Sequence, residues 1–212
     1  MRRERQAADT AFHESSMRTD HRIILDMVSP ASRVLDLGCG DGELLALLSQ
    51  KKRIVGQGVE IDSTNVSQCL QKGMSVIHGD LDHGLTDYAE QSFDYVILSQ
   101  TLQALRRPDH ILDEVVRVGK TGIVSFPNFG HWSARFKLAV KGRMPVTSNL
   151  PDPWYASPNI HIFTIKDFIY LCRAKGIAVK SRFYIRGDRE LGSSLLYNLR
   201  ADQAIFAVSA SG

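Results

Sequence analysis

Three glycines at alternate positions and two carboxylates stand together in Asp36-Leu37-Gly38-Cys39-Gly40-Asp41-Gly42, with Glu43 next. A glycine-rich turn lets a ligand approach the main chain closely. Similar turns seat a pyrophosphate on a helix N-terminus in nicotinamide enzymes. Here Asp36, Asp41 and Glu43 would repel that phosphate. An adenosyl compound carrying a sulfonium and an ammonium, and no phosphate, suits the same spot. The turn is therefore expected to hold S-adenosylmethionine (SAM) or its demethylated product, S-adenosylhomocysteine, through Asp36, Gly38, Cys39, Gly40 and Gly42. A nicotinamide-dependent oxidoreductase is the disfavoured alternative.

Glu60 follows Gly38 by 22 residues, at the end of the next apolar stretch and just before Ile61. A carboxylate there can accept hydrogen bonds from both ribose hydroxyls, each contributing roughly 1.5–3 kcal/mol; the bland alternative is a solvated strand end. Asp80 could accept the adenine amino hydrogen while the Leu81 backbone reads the ring edge, or it could cap a turn. Ser99 and Gln100 fall where the methionine end of the ligand would lie. His131 and His161 are the candidate bases. With Trp132, Trp154 and Tyr155 they could form a lid or acceptor pocket, fasten a loop to the core, or make a protein-docking surface. Methyl transfer from a sulfonium needs in-line geometry and exclusion of water, and a base only when the acceptor must lose a proton.

The elements that must position these groups follow from apolar periodicity. Helices are expected over Arg18–Val28, Gly42–Gln50, Asp62–Lys72 and Pro108–Val118, with strands over Val34–Leu37, Ile54–Glu60, Ser75–His78, Phe93–Leu98 and Gly122–Phe126. This alternation implies an α/β sheet, mostly parallel, with crossover helices on both faces. The rhythm breaks after Phe126. Residues 127–160 hold five of the seven prolines and both tryptophans, and read as one helix near 131–141 followed by a long ordered loop. The insertion covers about 127–163. Thr164 and Asp167 are spaced as a capping box, opening a helix that ends near Gly176; two last strands are expected near 178–185 and 203–209. Residues 1–17 look like a mobile polar extension, and 18–212 a single domain.

Composition narrows the class further. The 212 residues carry a net charge of +3, unevenly spread: residues 33–118 hold 13 acidic and 8 basic side chains, residues 131–190 hold 4 and 11. The basic half has no nucleic-acid motif around it, so no nucleic-acid partner is expected. No apolar run is long enough to span a bilayer, and the first residues lack the apolar stretch of a secretory signal. Cys39, Cys69 and Cys172 are odd in number and far apart in sequence, which suits a cytoplasmic protein without a disulfide framework or metal site.

Val34 to Glu43, Glu60-Ile61-Asp62, Gly79-Asp80 and Phe93 to Leu98 resemble the successive motifs of class I SAM-dependent methyltransferases. That resemblance implies a Rossmann-like, seven-stranded sheet whose last strand is antiparallel. Phe126-Pro127-Asn128-Phe129-Gly130-His131-Trp132, Lys141-Gly142-Arg143-Met144-Pro145 and Trp154-Tyr155-Ala156-Ser157-Pro158-Asn159-Ile160-His161 are similar to the methionine biosynthesis MetW family, as are Leu81-Asp82 and Leu102-Gln103-Ala104-Leu105. This narrower likeness spans about residues 18–185. It implies a role in methionine synthesis beside a homoserine O-acetyltransferase of the MetX type, with Trp132, Arg143, Trp154, Tyr155 and Asn159 on the partner or acceptor loop. An NPPY-type motif is absent; Ser99-Gln100-Thr101-Leu102 stands in its place, which argues against methylation of a nucleobase or amide nitrogen by that class. An accessory, activating subunit and a small-molecule methyltransferase both fit.

Overall fold

The computed structural model describes residues 17–147, 150–192 and 195–211. Apart from Met17, the expected N-terminal extension lies outside them. Helix α1 (Thr19–Met27) precedes β1 (Arg33–Leu37), α2 (Glu43–Lys52), β2 (Val55–Glu60), α3 (Ser63–Gln71), β3 (Ser75–His78), β4 (Phe93–Ser99), α4 (Pro108–Val118) and β5 (Gly119–Pro127). Then come α5 (Trp132–Lys141), α6 (Ile165–Ala174), β6 (Ile177–Arg186), β7 (Arg189–Leu191), the short α7 (Tyr197–Arg200) and β8 (Gln203–Ala210). The strands form one sheet in the order β3-β2-β1-β4-β5-β8-β6-β7. Strands β1 to β5 pair in parallel, and β8 runs antiparallel between β5 and β6.

Strand alternation divides the core. Leu35, Leu37, Val96, Leu98 and Phe126 turn to one face, where they meet Ile111 and Val115 of α4 and Phe168 of α6. Val34, Ile97, Ile123 and Ile205 turn to the other, against Ile24 of α1 and Leu45 and Leu48 of α2. Phe126 is the hub of the first face: its ring lies 4.7 Å from Phe168 and 5.8 Å from Phe206, centre to centre. With both faces covered, the inner strands are buried along most of their length, β1 everywhere but at Arg33.

The sheet has eight strands where seven were expected. The extra strand, β7, is the short return arm of a hairpin with β6, pairing Tyr184 to Leu191 and Arg186 to Arg189. Three residues are too few to leave a periodic signal. The capping box closes as its spacing implies: Thr164 N–H donates to Asp167 Oδ2 at 2.9 Å, and Asp167 N–H returns to Thr164 Oγ1 at a long 3.4 Å. From 143 to 163 the described residues hold no helix or strand, only an isolated bridge between Thr147 and Leu150. No helix among the described residues is long and apolar enough to cross a membrane.

Candidate functional site

Strand order reverses between β1 and β4, and in open α/β sheets the crevice at that switch point, beyond the strands' carboxyl ends, binds ligands. The glycine turn sits there. Gly38 N–H and Cys39 N–H both donate to Val59 O, at 2.8 and 3.2 Å, holding the turn beside β2. Gly38 has φ +70°, and a Cβ on it would lie 2.6 Å from Thr101 Oγ1 and Cγ2. Gly42, at φ +79°, is the N-cap of α2 and has no room for a side chain beneath Cys69 Sγ. At Gly40 a side chain would instead project into open space.

Two carboxylates are buried at this point. Glu60 Oε2 accepts from Gly40 N–H at 2.8 Å, while Oε1 accepts from Ile61 N–H and Asp62 N–H at 2.9 Å each. Asp36, at the end of β1, has a buried Oδ1 without a hydrogen-bond partner. Burial first, and the Glu60 carboxylate second, push the Asp36 carboxyl up to about 7. The other two acids of the turn carry less weight than their sequence position suggested. Asp41 is half exposed and pairs with Lys72 at 2.6 Å, an ion pair whose side-chain hydrogen bond pulls its pKa down; Glu43 is exposed. Of the acids near the turn, Asp36 and Glu60 are buried, whereas Asp41 and Glu43 wall the smaller lobe from its rim, and Asp80 and Asp82 join Glu60 in the larger.

The crevice has two lobes joined at Gly38. The larger, about 460 Å³, is walled by Glu60, Ile61, Asp80, Leu81, Thr101 and Pro158, among others. The smaller, about 130 Å³, is walled by Cys39, Gly40, Ser99, Glu43, Arg18 and His21. An adenosyl group and an amino-acid tail of one ligand match this division. The residues present fit SAM: Asp41 and Glu43 set carboxylates on the smaller lobe, the buried Asp36 Oδ1 behind the turn lacks a partner, and Glu60, capped by three N–H groups, retains acceptor capacity towards the larger lobe. Asp80 also caps the short turn Leu81–His83, accepting from Asp82 N–H at 2.9 Å. The turn-capping reading of Asp80 is thus seen, on a residue that also walls the larger lobe.

Arg18 and His21 were not anticipated at this site. His21 is buried, its Nδ1 has no hydrogen-bond partner and lies 4.0 Å from Glu43 Oε2, and burial lowers its pKa. Neighbouring Asp20 is also buried and binds the Arg18 guanidinium at 2.6 Å. Asp20 and His21, polar residues beside the buried Ile23 and Ile24 in an amphipathic helix, were the available signal. Two further features came only from the fold. Gln100 takes a left-handed φ of +55° at the end of β4, with its N–H held by Ser125 O. Cys39 and Cys69, far apart in sequence, meet with Sγ atoms 3.8 Å apart, both as free thiols.

The candidate bases lie elsewhere. His131 caps α5, its Nδ1 2.8 Å from Ser133 Oγ, and its Nε2 faces Asp202 at 3.3 Å. His161 packs beside Leu102, Pro108 and Phe168, with Nε2 3.3 Å from Arg106 O. Neither lines either lobe. Trp132, Trp154 and Tyr155 are exposed. Trp154 and Asn159 border a separate shallow depression with Phe129 and Met144, and Arg143 is exposed at the end of α5.

Comparison with known proteins places the chain in a family and its fold among solved structures. A curated relative, the bifunctional methionine biosynthesis protein MetXA/MetW of Rhodopirellula baltica, is 34% identical over 215 residues, covering 94% of this chain. This chain spans 34% of that relative's length. A demethylmenaquinone methyltransferase of Lactobacillus johnsonii is 28% identical over 169 residues, covering 70% of this chain and 66% of its own. Among solved structures, a SAM-dependent methyltransferase from Archaeoglobus fulgidus superposes with a TM-score of 0.66 at 19% identity, over 89% of this chain and 90% of the other, a likeness of fold. Residues 18–208 match the family described as methionine biosynthesis protein MetW, and the chain belongs to that family.

Proposed function

We propose that this chain binds SAM or S-adenosylhomocysteine in the two-lobed crevice and serves methionine synthesis as an accessory subunit of a homoserine O-acetyltransferase. The observation that carries the ligand is the buried Asp36 Oδ1, without a partner, at a turn whose Gly38 and Gly42 leave no room for a side chain. In that reading Glu60 orients the ribose, Ile61 and Leu81 flank the adenine, and Asp36 neutralises the cationic tail. Bound SAM would supply a sulfonium methyl group; the demethylated product would supply the same recognition without it. The accessory role is supported by the relative whose name joins MetXA and MetW in one polypeptide. Free thiols at all three cysteines suit a cytoplasmic setting.

The test is an acylation assay with the purified homoserine O-acetyltransferase of the same organism, with and without this chain, over a range of SAM and S-adenosylhomocysteine concentrations. Ligand-dependent stimulation is expected. No stimulation at any concentration refutes the accessory role. A second reading, methylation of a small acceptor, is favoured by the volume of the larger lobe, about 460 Å³. It requires release of S-adenosylhomocysteine from SAM by this chain in the presence of a cell extract depleted of macromolecules.

A further inference from the structure

Helix α5 packs poorly for a helix of its length. Of its ten residues only Ala134 is buried. Isolated helices shorter than about 12–15 residues are marginal in water, so helices of this size normally depend on a buried face. The apolar stripe of α5 instead points outward. Trp132, Phe136 and Val140 recur every fourth residue, and Phe136 and Val140 are 60% and 66% exposed. The segment that follows adds Trp154 and Tyr155, exposed by 74% and 76%. Clustered exposed apolar and aromatic side chains mark interaction surfaces.

The charge on the helix indicates what covers it. Arg135, Lys137, Lys141 and Arg143 lie between Trp132 and Met144 with no acidic residue among them. Arg135 and Lys137 bond the carbonyl oxygens of Gly130 and Val146 rather than carboxylates. None of the four forms an ion pair among the described residues. A symmetric contact with a second copy would set these cations against themselves, which opposes self-association through this face. An apolar surface rimmed by carboxylates complements it.

Resting on the accessory reading above, we propose that the exposed apolar stripe of α5, Trp132, Phe136 and Val140, docks an acid-rimmed apolar surface of the homoserine O-acetyltransferase, with Trp154 and Tyr155 of the following segment as further anchors. The segment that carries Trp154 and Tyr155 also reaches the crevice. Pro158 walls the larger lobe of the crevice, and Ile160 N–H and His161 N–H both donate to Gln103 O, at 3.0 and 2.9 Å, on the turn after β4. One length of chain thus carries exposed aromatic anchors and a wall of the crevice, and through it partner and ligand would change each other's affinity by one common factor.

The experiment measures binding of the purified acetyltransferase to the wild-type chain, to Phe136→Glu and to Trp154→Ala/Tyr155→Ala, with and without S-adenosylhomocysteine. Wild type should bind, with an affinity that changes about fivefold or more when the ligand is present. Phe136→Glu should weaken binding by more than about 30-fold and the double variant by more than about tenfold, since central aromatic anchors dominate such interfaces. Both variants should keep the wild-type melting temperature and ligand affinity, because these side chains are exposed and wall neither lobe. If the variants bind like wild type, the surface is wrong and the accessory role survives. If wild type does not bind at all, both fall. A wild-type dimer that Phe136→Glu dissociates in sedimentation assigns the face to a second copy and overturns the proposal. An affinity indifferent to ligand removes the link between the two sites.

Discussion

Glu60 Oε2 accepts a hydrogen bond from Gly40 N–H at 2.8 Å, so the end of β2 clamps the middle of the glycine turn that follows β1. One carboxylate thereby sets the shape of the turn and faces the space where a ribose would lie. The two roles separate experimentally.

Glu60→Ala removes both the clamp and the ribose acceptor. SAM affinity should fall by more than about tenfold, or roughly 1.4 kcal/mol, in isothermal titration calorimetry. Glu60→Gln keeps one acceptor oxygen and should fall between the two. Unchanged affinity in the alanine variant removes Glu60 from the site.

Asp36 predicts opposite effects on stability and binding. Its pKa rises from 3.8 to about 7 on folding, through burial and the neighbouring Glu60 carboxylate. The native chain then holds a proton that the unfolded chain has released, so the contribution of Asp36 is full below the unfolded pKa and is lost as pH rises through the folded one. Asp36→Asn, which never ionises, should melt above wild type at pH 8 and close to it at pH 4. The same substitution should abolish the pH dependence of SAM binding. In wild type, affinity should climb roughly fivefold or more from pH 6 to 7.5, as the carboxylate that meets the cationic tail becomes ionised. A flat wild-type profile would contradict this assignment.

Gly38→Ala places a methyl group 2.6 Å from the Thr101 side chain on a backbone at φ +70°. Conformation and collision both oppose it, and the expected loss is about 1–3 kcal/mol in chemical denaturation. Adding Thr101→Gly should restore part of that loss, the part due to collision. No recovery would mean the backbone conformation alone is responsible.

His131 gives a test of structure against catalysis. Its ring caps α5 and faces Asp202, and burial lowers its pKa while Asp202 opposes the shift. His131→Ala should cost about 1 kcal/mol of stability, as lost caps do. SAM affinity should not change. A variant with native stability and no stimulation of the acetyltransferase would give the imidazole a functional role instead.

Much of the architecture follows from local pattern alone. Short apolar strands, glycine at strand ends and 3.6-residue periodicity fix β1 through β5 and their crossover helices. Parallel neighbours bring their carboxyl ends together, so Gly38, Glu60, Asp80 and Ser99 had to converge once the alternation was read. Pairings between elements are not written in any local period. Lys72 neutralises Asp41 across 31 positions, Cys69 reaches Cys39 across 30, and Arg18 and His21 reach the smaller lobe from a helix that precedes the sheet. The same holds for α5. Its sequence announces a helix over 131–141, but only packing decides whether an apolar stripe is covered, and here the core is already closed by α4 and α6. Sequence fixed which groups are polar, charged or glycine; the tertiary arrangement decided which charges are compensated and which apolar faces stay open, because desolvation and pairing depend on neighbours supplied by distant parts of the chain.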